Sequence, residues 1–419
     1  MWILRGLLGV AVLTGLGWLL SERRRRVEWR AVGWGLALQF LLAFLLVKVP
    51  ACQLLLAQLN KVVRAVERAS HAGGAFVFGY LTGGPAPFQT VDGAAAAPAL
   101  FFFGPLMMLI VVGALSAVLF HFGVLQKVVA AFARLLRRTM GLGGAEGVVV
   151  AANVFMGQSD APLLIKPYVG HLGRAGLMCT MTAGMTTISG SLMIVYASIL
   201  EPVLPGIVLG HLVVASIISA PAAVMMARLL VPAEPGEVDH ETPDLAADTH
   251  GVVDALLVGA TDGAKVMVNV AVMLVAIIAV VALVNQALGR LPFGTPLSLE
   301  RMLGWGMAPA MWLVGVPWSE ARAAGELMAL KTVFNEFVAY LALARQDPGA
   351  LSFHSRLITV YALCGFANFS SIGILAGTLT ALCPEHKRTI AALGWKAMVA
   401  GTLATLLTGA VIGILVRPT

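Results

Sequence analysis

Charge is what this sequence has least of. Asp, Glu, Lys and Arg together supply 12% of its 419 residues, where soluble domains carry about 25%. With 59% hydrophobic residues and a mean hydropathy of +0.90, that scarcity excludes an ordinary soluble globular protein. Cysteine is almost as rare. Cys52, Cys179, Cys364 and Cys383 are scattered, so neither a zinc spacing nor a disulfide framework exists, and small apolar fillers are expected. The eight histidines form no HExxH or metal pair. No A-x-A cleavage signal follows the first 20 residues, which read as a retained helix rather than a removable leader.

What is present is apolar sequence in long runs. Many reach the roughly 20 residues needed to cross a bilayer, so an all-α polytopic membrane protein is expected. The net charge of +7 comes mostly from short clusters, Arg23 to Arg26 and Arg134, Arg137 and Arg138. By the positive-inside rule these lie on the cytoplasmic side, where they also suit anionic lipid. Spans are predicted at 3–20, 31–50, 98–124, 175–200, 207–230, 266–287, 356–382 and 390–416. Between them lie an outer connection at 51–94 with an amphipathic piece from Leu54 to Ala69, and a basic interfacial helix from Gln126 to Arg138. The stripe Val128, Phe132, Leu135 marks the apolar face of that helix. Residues 231–250 hold six acids, three prolines and no Lys or Arg, the composition of a cytoplasmic linker. A short interfacial helix follows it, ending near Lys265.

Three polar islands interrupt the apolar runs: Gly157-Gln158-Ser159-Asp160-Ala161-Pro162, Asn335-Glu336, and Asn368-Phe369-Ser370-Ser371. Polar backbone and side chains survive at membrane depth only where they line an enclosed cavity. Residues 143–170 carry basic flanks on both sides and read as a re-entrant hairpin entered from inside; 303–345 reads as a second, entered from outside. Gly184-Met185-Thr186-Thr187-Ile188-Ser189-Gly190 can be laid on Gly365-Phe366-Ala367-Asn368-Phe369-Ser370-Ser371. Asp160 precedes the first stretch by 24 positions and Glu336 the second by 29. The reading is an inverted repeat meeting at broken helices, a plan common among secondary transporters. The domains expected are scaffold spans with the interfacial helix (1–140), the first hairpin repeat (141–230), the linker with its helix (231–265), a connecting span (266–302) and the second hairpin repeat (303–419).

An acid at the bilayer centre costs on the order of 2.5–3.5 kcal/mol, so Asp160 and Glu336 need a partner or water. Either they serve a ligand, or Lys166 or Lys331 pairs with them and merely joins hairpins. Two carboxylates, two carboxamides (Gln158, Asn368) and several hydroxyls suit a neutral ligand rich in hydroxyls and amides. A phosphate-bearing one would want Arg, which the islands lack. Asn153, Thr187 and the carbonyls of a broken helix could hold a bare Na⁺, or Asn153 could bond across a helix interface. Phe366 could stack on a flat ring or be ordinary packing.

The stretches Gly157 to Leu163, Lys331-Thr332-Val333-Phe334-Asn335-Glu336-Phe337-Val338-Ala339-Tyr340 and Cys364 to Gly373 resemble the concentrative nucleoside transporters. The resemblance extends over essentially the whole chain, including Gly315-Val316-Pro317-Trp318. It implies a bacterial inner-membrane protein, a homotrimer of eight-span protomers with two opposed hairpins, carrying nucleosides with a cation. By that resemblance Gln158 and Ser159 would meet the base with Asp160 nearby, Phe366 and Leu192 would flank it, and Glu336, Asn368 and Ser371 would bind the ribose. Sodium would fall to Asn153, Thr187 and the carbonyls of Met156 and Ile188; no cofactor is implied, and H⁺ is the alternative coupling ion. One departure is visible. The family usually shows Gln-Thr-Glu where this chain has Gln158-Ser159-Asp160, which leaves base preference open.

Two other classes compete. A membrane-embedded enzyme could use Asp160 and Glu336 as acid and base, but the chain shows no activated nucleophile, metal cluster or phosphate cradle. A passive channel would conduct without accumulating solute. The expectation is cation-coupled nucleoside import by alternating access, with symport of another hydroxylated solute as the runner-up.

Overall fold

Apolar runs become helices, and glycine, proline or a polar cap ends each one. The computed structural model describes residues 2–82, 100–234, 236, 243, 250–290 and 298–417, and no strand occurs among them. The first helices are α1 (Trp2–Leu19), α2 (Trp29–Lys48) and α3 (Pro50–Phe78). The third is longer than the amphipathic piece expected inside a connection. Pro50 starts it at a position where a missing N–H costs nothing; the pair Gly73-Gly74 does not interrupt it, and it stops at Gly79, where φ is +58°. The predicted connection from residue 83 to 94 lies outside the described residues.

Helix α4 (Met108–His121) and α5 (Val124–Met140) are bent 74° from one another at a short break. The bend falls where the basic cluster leads to the expectation of a turn from a span to an interfacial helix. The buried face differs from the predicted stripe by one residue: Val129, Ala133, Leu136 and Met140 are buried, whereas Val128 and Leu135 are exposed. Two apolar stripes lie side by side, one packed on α6 (Gly144–Asn153) and the other exposed.

After α6 the chain is irregular from 154 to 160, then runs as a 3₁₀ segment, Ala161–His171. Helices α7 (Arg174–Thr186) and α8 (Gly190–Leu200) are separated by an extended break, and α9 (Val208–Leu230) follows. Most of the acidic linker lies outside the described residues. Beyond it the short helix and separate span predicted for 251–287 are one continuous 38-residue helix, α10 (Val252–Gly289). Gly259 and Gly263, spaced as G-x-x-x-G, do not interrupt it. They let α10 press against α4: a Cβ on Gly263 would lie 2.3 Å from the Leu109 carbonyl oxygen, and one on Gly259 2.4 Å from that of Gly113. Small residues serve close helix contact in this way.

The stretch predicted as a second hairpin resolves into three helices: α11 (Leu299–Leu313), α12 (Trp318–Val333) and α13 (Glu336–Arg345). The first turn falls at Gly315-Val316-Pro317, the tighter one at Phe334-Asn335. A break at 364–368 divides α14 (Phe353–Leu363) from α15 (Phe369–Leu382), and α16 (Lys387–Leu415) closes the fold. Six stretches of the described residues, one of them α7 and α8 taken together across their break, are long and apolar enough to cross a membrane, and the bent α4–α5 pair makes a seventh by the same measure.

Burial divides the helices sharply. Helices α7, α9, α14 and α16 pack together, and α1 and α2 seat on α9 and α16. A Cβ on Gly6 would lie 2.4 Å from Ile414 Cγ1, and Gln39, fully buried, donates to Thr408 Oγ1 at 3.0 Å. A second buried link joins Arg228 at the end of α9 to Glu146 at the start of α6, one guanidinium nitrogen reaching both carboxylate oxygens at 2.8 and 2.9 Å. Removing one member of so buried a pair costs about 3–5 kcal/mol.

Candidate functional site

The two helix breaks restart in the same manner. At the first, Ser189 caps α8 by accepting from the Leu192 N–H; at the second, Asn368 caps α15 by accepting from the Ser371 N–H at 2.9 Å. Asn335 does the same for α13, its Oδ1 accepting from Val338 N–H at 2.9 Å. Each cap satisfies an otherwise orphaned amide. Each also places a helix N-terminus, with its partial positive charge, beside a polar island.

The three islands meet. Gln158, from the irregular stretch after α6, donates through Nε2 to Ser371 Oγ at 3.1 Å. Asn368 Nδ2 donates to Glu336 Oε2 at 3.3 Å. Gln158, Glu336, Asn368 and Ser371 are all nearly buried, and Phe366 is 7% exposed beside them in the same break. Leu192, half-buried, sits in the first turn of α8. Ser159 is half-buried and Asp160 exposed, so the two acids of the sequence reading sit in different surroundings. Neither pairs with a lysine: among the described residues no ion pair joins Lys166 to Asp160 or Lys331 to Glu336.

Glu336 has a partner that sequence reasoning missed. Tyr196 of α8 donates its phenol to Glu336 Oε1 at 2.6 Å, so a side chain of the first repeat holds the acid of the second. Tyr196 is fully buried against Phe337 and Tyr340, with ring centroids 5.4 and 4.9 Å away. A buried tyrosine hydroxyl usually has a partner, and a lone Tyr in the apolar run 190–200 was the available signal. Hydrogen bonds to a charged group contribute about 1.5–3 kcal/mol.

A second polar cluster lies at the first break. Thr187 Oγ1 donates to the backbone carbonyls of Asn153 at 2.8 Å and Ala183 at 3.0 Å. Asn153, fully buried, donates through Nδ2 to the Val149 carbonyl at 2.9 Å, while its Oδ1 has no hydrogen-bond partner among the described residues. Gln158 Oε1 is likewise buried and without a partner among the described residues. A Cβ on Gly184 would lie 3.1 Å from Gln158 Cβ and 3.6 Å from Asn153 Oδ1, so the stem of Gln158 and the carboxamide of Asn153 border the same glycine. An unmatched buried oxygen costs about 1–3 kcal/mol, a cost that a bound cation or ligand donor removes. Met156 is half-buried and Ile188 buried, the latter inside the break.

Comparison with known proteins follows the same lines. The N-terminal part of the Na⁺-dependent nucleoside transporter family matches residues 8–81, its C-terminal part matches 211–413, and a nucleoside-recognition gate domain matches 100–203. A solved structure of CNTnw in an inward-facing, substrate-bound state is 34% identical, with a TM-score of 0.88 over 99% of this chain and 98% of that one. The chain belongs to the concentrative nucleoside transporter family. A variant of CNTnw in an outward-facing state is similar to the same degree, at 33% identity and a TM-score of 0.90 over 99% and 97% of the two chains. The transporter YutK of Bacillus subtilis is 36% identical over 99% of this chain and 100% of its own length. Sodium/nucleoside cotransporter 1 of Rattus norvegicus is 34% identical over 98% of this chain, which spans 63% of that longer protein. The protein is therefore a multi-pass membrane transporter of the nucleoside class, not an enzyme.

Proposed function

We propose that this transporter imports nucleosides together with a cation, Na⁺ in the first instance, by alternating access across a bacterial inner membrane. The observation that carries the reading is the chain of contacts Gln158–Ser371, Asn368–Glu336 and Glu336–Tyr196. It joins groups that can donate to and accept from a base edge with groups that suit vicinal hydroxyls. In this reading Gln158 and Ser159 face the base with Asp160 at the rim, and Phe366 and Leu192 flank it. Glu336, Asn368 and Ser371 take the ribose. Asp160, being exposed, tunes access rather than anchoring substrate.

Na⁺ is assigned to Asn153, Thr187 and the carbonyls of Met156 and Ile188. What supports it is the buried, unpartnered Asn153 Oδ1 beside an extended break. Energetics allow it. One inward positive charge releases about 2.3 kcal/mol per 100 mV, against about 1.4 kcal/mol for tenfold accumulation of a neutral solute.

The architecture proposed is eight spans, with opposed hairpins at 141–171 and 318–345 forming inverted repeats. Residues 141–230 and 303–419 make the transport region. The scaffold is drawn from 1–140 and the span within 266–302, chiefly α4 and α10, since α1 and α2 seat on the transport helices. Exposed Val268, Val272, Val275 and Leu283 on α10 offer the face on which three copies would assemble.

Counterflow of labelled uridine and adenosine into proteoliposomes, under separate Na⁺ and H⁺ gradients, tests the reading. Saturable uptake driven by Na⁺ supports it. Uptake driven by H⁺ alone transfers the coupling to a proton, and no nucleoside uptake under either gradient rejects the substrate, leaving another hydroxylated solute.

A further inference from the structure

Arg228 and Lys331 are the two buried cationic side chains among the described residues. Arg228 has its carboxylate in Glu146. Lys331 has no carboxylate within ion-pair distance among the described residues, and Glu336 is the acid that acts on it through space. Lys331 is fully buried near the end of α12, and its ammonium donates to the Ala362 carbonyl at 2.9 Å and to Thr405 Oγ1 at 2.8 Å. Ala362 lies in the last turn of α14, where the helix stops and its carbonyls lack intrahelical donors. A second one, that of Val360, receives the Tyr340 hydroxyl at 3.0 Å. Thr405 directs its own proton to the Thr402 carbonyl at 3.1 Å, which leaves its lone pairs for the ammonium.

The first break shows the opposite inventory. Helix α7 also ends in mid-protein, and its polar surroundings are oxygens: Thr187 Oγ1, the Asn153 and Ala183 carbonyls, and the unpartnered Asn153 Oδ1. The two breaks touch. Gly365, at φ +146°, adopts a backbone that side-chain-bearing residues rarely reach. A Cβ there would lie 2.5 Å from the Thr186 carbonyl oxygen and 2.9 Å from Thr405 Cγ2. Thr405, the ammonium's acceptor, is thus packed on the residue that leads into Phe366 and Asn368.

We propose that Lys331 is a tethered cation: its ammonium supplies at the second helix break the positive charge that the coupling ion supplies at the first. One break exchanges its cation on every cycle; the other keeps its cation covalently. Lys331 is thereby a positioning residue. It neutralises the end of α14 and, through Thr405, fixes the loop that displays Phe366 and Asn368 to substrate. The comparison with the first break rests on the assignment of the coupling ion to Asn153 and Thr187.

The test is Lys331→Ala in the purified full-length transporter, with uridine and adenosine affinities measured calorimetrically at saturating Na⁺. The substitution removes a propylammonium, so n-propylammonium and n-propanol are the two rescue solutes. Affinity is expected to fall about tenfold or more, the loss of two charge-assisted hydrogen bonds. n-Propylammonium restores it and n-propanol does not. Affinity equal to that of the unsubstituted protein, equal rescue by both solutes, or rescue by neither overturns the proposal. Should Lys331→Ala not fold, Thr405→Val reads the same contact. It is expected to weaken affinity several-fold, and an unchanged affinity overturns the proposal. Replacing Na⁺ by choline in the unsubstituted protein separates the two claims. Binding indifferent to Na⁺ sinks the coupling-ion assignment, and the amine rescue still decides the role of Lys331.

Discussion

Helices α9 and α10 are both long, apolar and continuous, yet 83% of the apolar stretch of α9 lies inside the protein and only 17% of that of α10. The neighbours explain the difference. Helix α9 is wrapped by α2, α7 and α16 and carries polar groups that need partners: Ser219 bonds Thr408 at 3.1 Å, Ser216 the Val154 carbonyl at 3.2 Å, Arg228 the Glu146 carboxylate. Helix α10 packs chiefly on α4 through glycines and offers valine and leucine elsewhere. Lipid cannot satisfy a polar group but accepts an apolar one. Chemistry therefore concentrates in the wrapped helices, and the α4–α10 pair carries few polar groups that need partners. Substitutions in the two regions should fail in different ways.

The largest effect is expected inside the wrapped region. Glu336→Gln keeps the volume and removes the charge that Tyr196 and Asn368 address. Nucleoside affinity should fall about 100-fold, near 2.7 kcal/mol, with assembly and thermal stability little changed. Calorimetry and size-exclusion chromatography read the two separately. Unchanged affinity removes Glu336 from the site.

The α4–α10 pair should respond in reverse. Gly263→Leu forces a side chain into the Leu109 backbone and should cost about 2 kcal/mol by overpacking. The expected outcome is a lower melting temperature or loss of assembly, while the folded fraction binds nucleoside as before. If affinity changed and stability did not, the division between the regions would fail.

A smaller effect is expected at the first break. Asn153→Ala removes the unpartnered Oδ1, and the Na⁺ concentration for half-maximal nucleoside binding should rise about tenfold, near 1.4 kcal/mol. The ranking of bases should hold. A sodium response identical to that of the unsubstituted protein would break the assignment.

These residues also show what a sequence makes legible. Gln158, Glu336 and Asn368 stand out because polar groups in apolar runs need a reason, and the structure joins them. Tyr196 was harder to see, because one tyrosine in an apolar helix is compatible with plain packing; only the fold brings it 2.6 Å from Glu336. Most helices matched their apolar runs, but α3 and α10 are longer than read. Amphipathic and apolar segments joined without a breaker fold as one helix, and composition marks a change of environment rather than a change of structure. The two-stripe face of α5 was hidden for a related reason. Val128 and Leu135 stand beside Val129 and Leu136, so the apolar face is broad, and periodicity alone does not say which part of it meets protein.

The smallest effect concerns the charged seam by which α1 is held to the wrapped helices. Glu22, just past the end of α1, accepts from Arg174 at the head of α7 at 2.6 and 3.2 Å, and from Lys396 of α16. The Arg174 hydrogen bonds, with those of Lys396, hold its carboxyl down to about 2 against partial burial, from an ordinary value of 4.5. A depressed carboxyl stabilises the fold above its unfolded value, so the contribution is complete above pH 4.5 and is lost as pH falls toward 2. Solvent at the seam keeps it below about 1 kcal/mol. Melting curves of the unsubstituted protein and Glu22→Gln should therefore lie apart at pH 7 and converge as the buffer is taken from pH 4.5 to 3. High salt should narrow the gap at pH 7. Curves that run parallel over the whole range would mean that the seam is held by apolar packing of α1 on α16, and that its charges only decorate it.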